Sequence, residues 1–411
     1  MTSCLQTLAD LRAGRLAGAT RLDLRHCDLD EVPREVFALA DTLEMLDLSG
    51  NRLRTLPDEL PRLRALRILF CSNNSFEALP AVLGRCEHLD IVGFKANAIA
   101  HVPAEAIPAN LRWLILSDNR IGSLPETLGA CHRLQKLALA GNRLSALPAG
   151  LARCERLELI RLSANRFETL GDALPGGLLT LPRLAWIAYA GNPFNAAQEA
   201  RALEATPIAH VPWQELEVGE LLGQGASGHI HAARWRPAAG GEQSVAVKLF
   251  KGEVTSDGLP GSEMAACVAA DLHAHVIEVK GRIAGHPRGA QGLVLGLIPP
   301  RYRSLAAPPS FATCTRDVYA PDASFTAAQA RAIARATGDA LAHLHAKGLV
   351  HGDFYAHNIL VDDQAHALLG DFGAASFLPN DDAPRREALV RIDRHAHAIL
   401  VDELARLSSC A

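Results

Sequence analysis

Leu134-Gln135-Lys136-Leu137-Ala138-Leu139-Ala140-Gly141-Asn142-Arg143-Leu144-Ser145-Ala146-Leu147-Pro148 decides the fold of the first half of the chain. Leucines stand 8, 5 and 3 positions before Asn142 and 2 and 5 after it, and a proline follows at 6. The same frame recurs around Asn51, Asn74, Asn97, Asn119, Asn165 and Asn192. Successive spacings over the seven asparagines are 23, 23, 22, 23, 23 and 27, and Cys27 takes the place one repeat earlier. A fixed period of this length is the mark of stacked units, none of which can bury its own apolar face alone.

Each unit reads physically. Alternate leucines in x-L-x-L-x point to one face of a short parallel strand. Each leucine contributes about 1.5–3 kcal/mol when fully buried. The asparagine amide can satisfy backbone groups that stacked turns would leave unpaired. The pattern L-x-x-L-x-L-x-x-N-x-L-x-x-L-P resembles the leucine-rich repeat family over residues 19–195. The resemblance implies an α/β solenoid spanning 19–206, with an N-terminal cap in 1–18. Gly191-Asn192-Pro193-Phe194 reads as its terminating turn, since Pro193 cannot continue a ladder. Strand positions between the core leucines line the concave side: Ile68, Phe70, Ile91, Trp113, Ile115, Leu159 and Trp186. Such a stripe suits a protein partner or substrate, with Phe70, Trp113, Ile115 and Trp186 as anchors, or else a cover from the chain's own second half.

Composition narrows the classes. The chain has 411 residues, 49% hydrophobic and 21% charged, enough apolar material for more than one core. The net charge of −4 gives no electrostatic reason for nucleic acid as a partner. No run reaches the about 18 apolar residues of a membrane span, so no membrane insertion is expected. The N-terminus lacks a basic stretch leading into an apolar one, so no signal peptide is expected. Nine scattered cysteines with no C-x-x-C pair argue against a disulfide framework and for a reducing, cytoplasmic setting. Cys86, Cys131 and Cys154, each 11 residues before a repeat asparagine, read as packing residues.

After Thr206-Pro207-Ile208-Ala209-His210-Val211-Pro212-Trp213, a short proline-punctuated connection, the repeat register is lost. Gly223-Gln224-Gly225-Ala226-Ser227-Gly228 precedes Val245-Ala246-Val247-Lys248 on a β-rich stretch, and no helix follows the glycines. His351-Gly352-Asp353 with Asn358, and Asp371-Phe372-Gly373, come later. The steps are 105 residues from Lys248 to Asp353, 5 to Asn358, and 18 from Asp353 to Asp371. In order and spacing these motifs resemble the eukaryotic-type serine/threonine protein kinase family, in the bacterial-like form with an HGDxxxxN loop, over residues 216–407.

That resemblance implies an α+β bilobal kinase-like domain in 213–411, with an N-lobe in 213–300 and a short C-lobe in 301–411. It implies ATP and Mg²⁺. Gly223, Gly225 and Gly228 would let the backbone approach phosphates. Lys248 would meet the α- and β-phosphates, steadied by Glu263, with Asp257 and Asp271 as alternative partners. Asp371 and Asn358 would hold Mg²⁺, and Asp353 would accept the proton of the attacking hydroxyl. Ile230, Ala246 and Leu360 fit the positions that sandwich an adenine. His351, Phe372 and Asp393 fit the internal spine and its anchor.

The sequence also departs from the family. Gly352 replaces the arginine beside the catalytic aspartate, and Tyr355 stands where serine/threonine kinases place a lysine. HGDxxxxN is also the style of aminoglycoside phosphotransferases. Only 22 residues separate Asp371 from Asp393, with no Ala-Pro-Glu and Ser376 as the sole hydroxyl. Residues 301–325 read as a long loop. His229 and His231 share a strand face without a nearby carboxylate, a poor metal site. The expected function is an ATP-dependent protein kinase acting on Ser or Thr, with the repeats as partner-binding module and activity independent of loop phosphorylation. The alternative is a nucleotide-binding scaffold.

Overall fold

The computed structural model describes residues 4–205, 208–225, 227–251, 254–255 and 257–409, so Ala226 of the glycine segment and Thr206-Pro207 lie outside the described residues. Packing divides the chain into two compact units, Met1–Ile160 with Asn165–Leu184, and Arg161–Ala164 with Ala185–Ala411.

The repeats open with helix α1 (Cys4–Arg12). Eight three-residue strands follow: β1 (Arg21–Asp23), β2 (Met45–Asp47), β3 (Ile68–Phe70), β4 (Ile91–Gly93), β5 (Trp113–Ile115), β6 (Lys136–Ala138), β7 (Leu159–Arg161) and β8 (Trp186–Ala188). They form one sheet in chain order, parallel with aligned register in the pairs β1 to β6. Opposite the strands run 3₁₀ turns. Pro80, Pro103, Pro125 and Pro148, the prolines six residues after an asparagine, stand at their N-termini with φ near −65°. The asparagine amides bridge successive coils. Asn51 Oδ1 accepts from the N–H groups of Cys27 and Leu29 at 2.9 and 3.1 Å, and its Nδ2 donates to the carbonyls of Leu24 and Leu48 at 2.9 and 2.7 Å. Short helices α2 (Leu170–Ala173) and α3 (Gly176–Leu179) fill the longer penultimate coil.

Two expectations need correction. Cys4 and Cys27 form a disulfide across a separation of 23 residues. That separation equals one repeat period and ties the cap helix to the first coil. The six other described cysteines form no disulfide and are buried, and burial pushes the Cys86 thiol up to about 11. The concave stripe is also less open than its register suggests. Phe70, Trp113 and Ile115 are half-buried, but Ile91, Leu159 and Trp186 are buried. Phe70 lies over Gly93, where a Cβ would meet its ring at 2.5 Å. Lys136 places its ammonium 4.2 Å from the centre of the Trp113 ring.

In the second unit, helix α4 (Pro193–Ala205) follows β8. A six-stranded sheet then takes the order β10-β11-β12-β14-β13-β9, from β9 (Ala209–Pro212), β10 (Leu216–Gln224), β11 (Gly228–Trp235), β12 (Gln243–Phe250), β13 (Val279–Ala284) and β14 (Gly292–Gly296). The stretch read as a connection thus contributes β9, parallel to β13. Helix α5 (Pro260–Ala270) packs against α4. Below lie β15 (Arg303–Ser304), α6 (Ala327–Ala346), β16 (Leu349–Val350), β17 (Ile359–Val361), β18 (Ala367–Leu369), β19 (Ser376–Phe377) and α7 (Ala383–Ser409). A capping box by Thr326 and Gln329 starts α6. Residues 301–325 are not wholly a loop, since β15 pairs with β17. No described helix is long and apolar enough to cross a membrane.

Candidate active site

The antiparallel hairpin of β10 and β11 presents the glycine segment above a cleft. Gly228 is required by packing, because a Cβ there would lie 2.4 Å from the Leu249 carbonyl. Gly223 and Gly225 face open space. Gly225, Ile230, Lys248, Glu263, Leu295 and Asp371 are among the residues lining the cleft. Ala246 and Leu360 are not among its lining residues. Ala246 is buried in β12 opposite Leu295, and Leu360 lies in β17 opposite Leu368. Ile277, Val279 and Leu293, which no motif flagged, supply apolar walls.

Of the three carboxylates considered for Lys248, Glu263 on α5 makes the ion pair. Asp271 pairs with Lys347 at 2.7 Å, and Asp257 pairs with Arg161 at 2.9 Å. Burial works against the Lys248 charge, but Glu263 and Asp371 outweigh it and hold the ammonium above its ordinary range. Helix α5 is braced by α4. Glu199 accepts from the Ser262 hydroxyl and from the Gly191 N–H, both at 2.7 Å.

The loop from His351 to Asn358 is held from below. Asp393 on α7 accepts from the N–H groups of His351 and Gly352 at 3.0 and 3.1 Å, and from the His345 ring at 2.9 Å. The His351 and Phe372 rings lie 5.4 Å apart. Asp317, from the stretch after β15, accepts from the His357 N–H at 3.1 Å and bonds its ring at 2.7 Å. Burial disfavours the His357 charge, but Asp317 prevails and raises its pKa. Asn358 Nδ2 donates to the backbone carbonyl and the carboxylate of Asp353, each at 2.9 Å.

Gly352 adopts φ +71°, and a Cβ there would lie 2.4 Å from the Ile187 carbonyl and 2.6 Å from that of Ala374. The backbone of β8 therefore occupies the space a larger residue would need. Trp186 of the same strand stacks on Tyr355, with ring centres 4.3 Å apart, and donates from Nε1 to the Phe354 carbonyl at 3.0 Å. Its expected place as an exposed anchor is overturned by this packing. Ser376 is also buried. Its hydroxyl accepts from the Tyr189 N–H at 3.1 Å and donates to the Ala374 carbonyl at 3.3 Å.

Sequence reasoning missed Arg161, at the end of β7. Its guanidinium pairs with the Asp353 carboxylate, with Asp257, and with the Gly352 carbonyl at 3.0 Å. Asp317, Trp186 and Glu199 were likewise not assigned to the site, because nothing local in the chain links them to it.

A protein kinase domain model matches residues 216–391, and a leucine-rich repeat model matches 18–76 and 109–167. Leucine-rich repeat and calponin homology domain-containing protein 1 of Mus musculus is 33% identical over 124 residues, 29% of this chain and 17% of that protein. Non-receptor tyrosine-protein kinase TNK1 of Homo sapiens is 31% identical over 163 residues, 38% of this chain and 22% of that protein. Kinase suppressor of Ras 2 of Homo sapiens is 27% identical over 198 residues, 48% of this chain and 19% of that protein. The chain spans less than a quarter of the length of each of these three relatives. Residues and comparisons agree that this chain joins leucine-rich repeats to a protein kinase domain.

Proposed function

We propose that the protein is an ATP-dependent kinase that phosphorylates Ser or Thr hydroxyls with Mg²⁺, its repeats serving as the partner-binding module through the half-exposed Phe70, Trp113 and Ile115. The observation that carries this reading is the Lys248–Glu263 ion pair, lining one cleft with Asp371 and the glycine segment. Mg²⁺ takes oxygen ligands from one or two side chains together with substrate phosphates. The Asp371 carboxylate suits it, and so does Asn358, whose amide nitrogen is used on Asp353. Bound there, the ion would neutralise charge on the phosphate oxygens.

Lys248 would grip the α- and β-phosphates. Asp353 would orient the acceptor hydroxyl and take its proton. The acceptor oxygen bonds to the γ-phosphorus as the bond to the β,γ-bridging oxygen breaks, and that electron pair leaves with ADP. A second reading, a nucleotide-binding scaffold, draws on the engagement of Asp353 by both Arg161 and Asn358.

Labelled ATP with Mg²⁺ and mixed Ser, Thr and Tyr peptides distinguish the readings on the full chain. Label on Ser or Thr, lost in Asp353→Asn, is expected. ATP·Mg²⁺ at about 100 times Kd should add roughly 2.7 kcal/mol of stability, and Lys248→Met should remove it. Label on Tyr alone refutes the specificity. A thermal shift without transfer favours the scaffold.

A further inference from the structure

No arginine or lysine of the catalytic loop stands beside Asp353. Position 352 cannot supply one, because the carbonyls of Ile187 and Ala374 leave no room for a side chain. Position 355 is a tyrosine stacked on Trp186. His357 is held by Asp317. Asp353 therefore takes its cationic partner from outside the loop, and a general base must be held within hydrogen-bond reach of the proton it takes.

Arg161 answers each of these demands. Its side chain is only 4% exposed. Its fork binds the Asp353 carboxylate and the carbonyl of the preceding residue, Gly352, while Nε is anchored by Asp257. With Asn358 holding the other carboxylate oxygen, the Asp353 side chain is fixed from two sides. A planar, permanently charged fork suits this task better than a point charge.

We propose that Arg161, a repeat-strand residue outside 216–391, is the positioning residue that holds the Asp353 carboxylate aimed at the acceptor hydroxyl. The inference rests on the phosphoryl-transfer reading above.

The test compares Arg161→Ala and Arg161→Lys with the unaltered full chain, using kcat and KM for ATP from peptide phosphorylation and the ATP·Mg²⁺ thermal shift. Arg161→Ala should lower kcat by about 100-fold or more, with the thermal shift retained. KM for ATP should stay near its original value, since Arg161 is not among the residues lining the cleft. Arg161→Lys should recover part of the rate at the same KM. An unchanged kcat in Arg161→Ala overturns the proposal, as does a raised kcat, which would make the contact an inhibitory latch. A KM for ATP that rises as much as kcat falls, with lysine no better than alanine, also overturns it, leaving packing alone. Should Arg161→Ala lose its melting transition, Arg161→Lys decides by the same criteria: a reduced kcat at unchanged KM supports the proposal, and unaltered kinetics overturn it. Unaltered protein that shows the thermal shift but no transfer refutes the phosphoryl-transfer reading itself, and this inference falls with it.

Discussion

Gly352→Ala tests whether the backbone of β8 determines the residue beside Asp353. Gly348, four residues earlier, has nearly the same backbone, φ +79° against +71°, but nothing lies within 4 Å of a Cβ there. Both substitutions impose a left-handed conformation on an L-residue, a cost of about 1–2 kcal/mol. Both regain roughly 0.4–1 kcal/mol from reduced freedom in the unfolded chain. Gly348→Ala should therefore lose about 1 kcal/mol. Gly352→Ala adds overlap with two carbonyl oxygens at 2.4 and 2.6 Å, against the 3.4 Å where ordinary contact begins. Relieving such overlap costs about 1–3 kcal/mol. Any shift also strains the hydrogen bonds from the Gly352 N–H to Asp393 and from Arg161 to the Gly352 carbonyl. Bonds to charged groups are worth about 1.5–3 kcal/mol each. With about half of that forfeited by each bond, the sum is roughly 3.5–7 kcal/mol, a fall of about 7–28 °C for a unit of this size. Thermal unfolding of the full chain, followed by circular dichroism, reads both variants. Equal losses would refute the argument, and a Gly352→Arg protein as stable as the original would refute it more strongly.

Two further outcomes follow from the same contacts. Trp186→Ala should cost about 3–5 kcal/mol in denaturant unfolding. Trp113→Ala, on a half-exposed ring, should cost less than half as much, and equal losses would return Trp186 to the open concave face. Asp393 is pushed up by burial, but the His345 ring and the backbone N–H of His351 prevail and hold its carboxyl below the usual range. Its contribution is complete above the unfolded carboxylate pKa and is lost as pH falls through the lower folded one. Asp393→Asn should lower stability at neutral pH and flatten that acid dependence, so an acid limb as steep as the original would contradict the anchoring role.

The order of the elements was legible in the chain because periodic and local signals were enough to carry it. The asparagine ladder lies in a repeat of about 23 residues, and each amide needs only its neighbouring coil. Lys248, Asp353, Asn358 and Asp371 stand in motifs whose spacing reflects the strands and turns between them, so their shared neighbourhood was readable as an expectation. The partner of Lys248 was narrowed to three carboxylates, and the tertiary structure distinguished them by the direction in which α5 presents Glu263. Arg161 could not be read this way. It occupies the same strand position as Phe70 and Ile115, four before its asparagine, where the repeat accepts almost any residue. Its partner Asp353 lies 192 residues away, and no period links them. The burial of Trp186 and Ser376 has the same origin. Alternation says which face of β8 a side chain takes, but only the packed chain decides that the loop from His351 to Asn358 and the segment after Asp371 fill the space opposite that face.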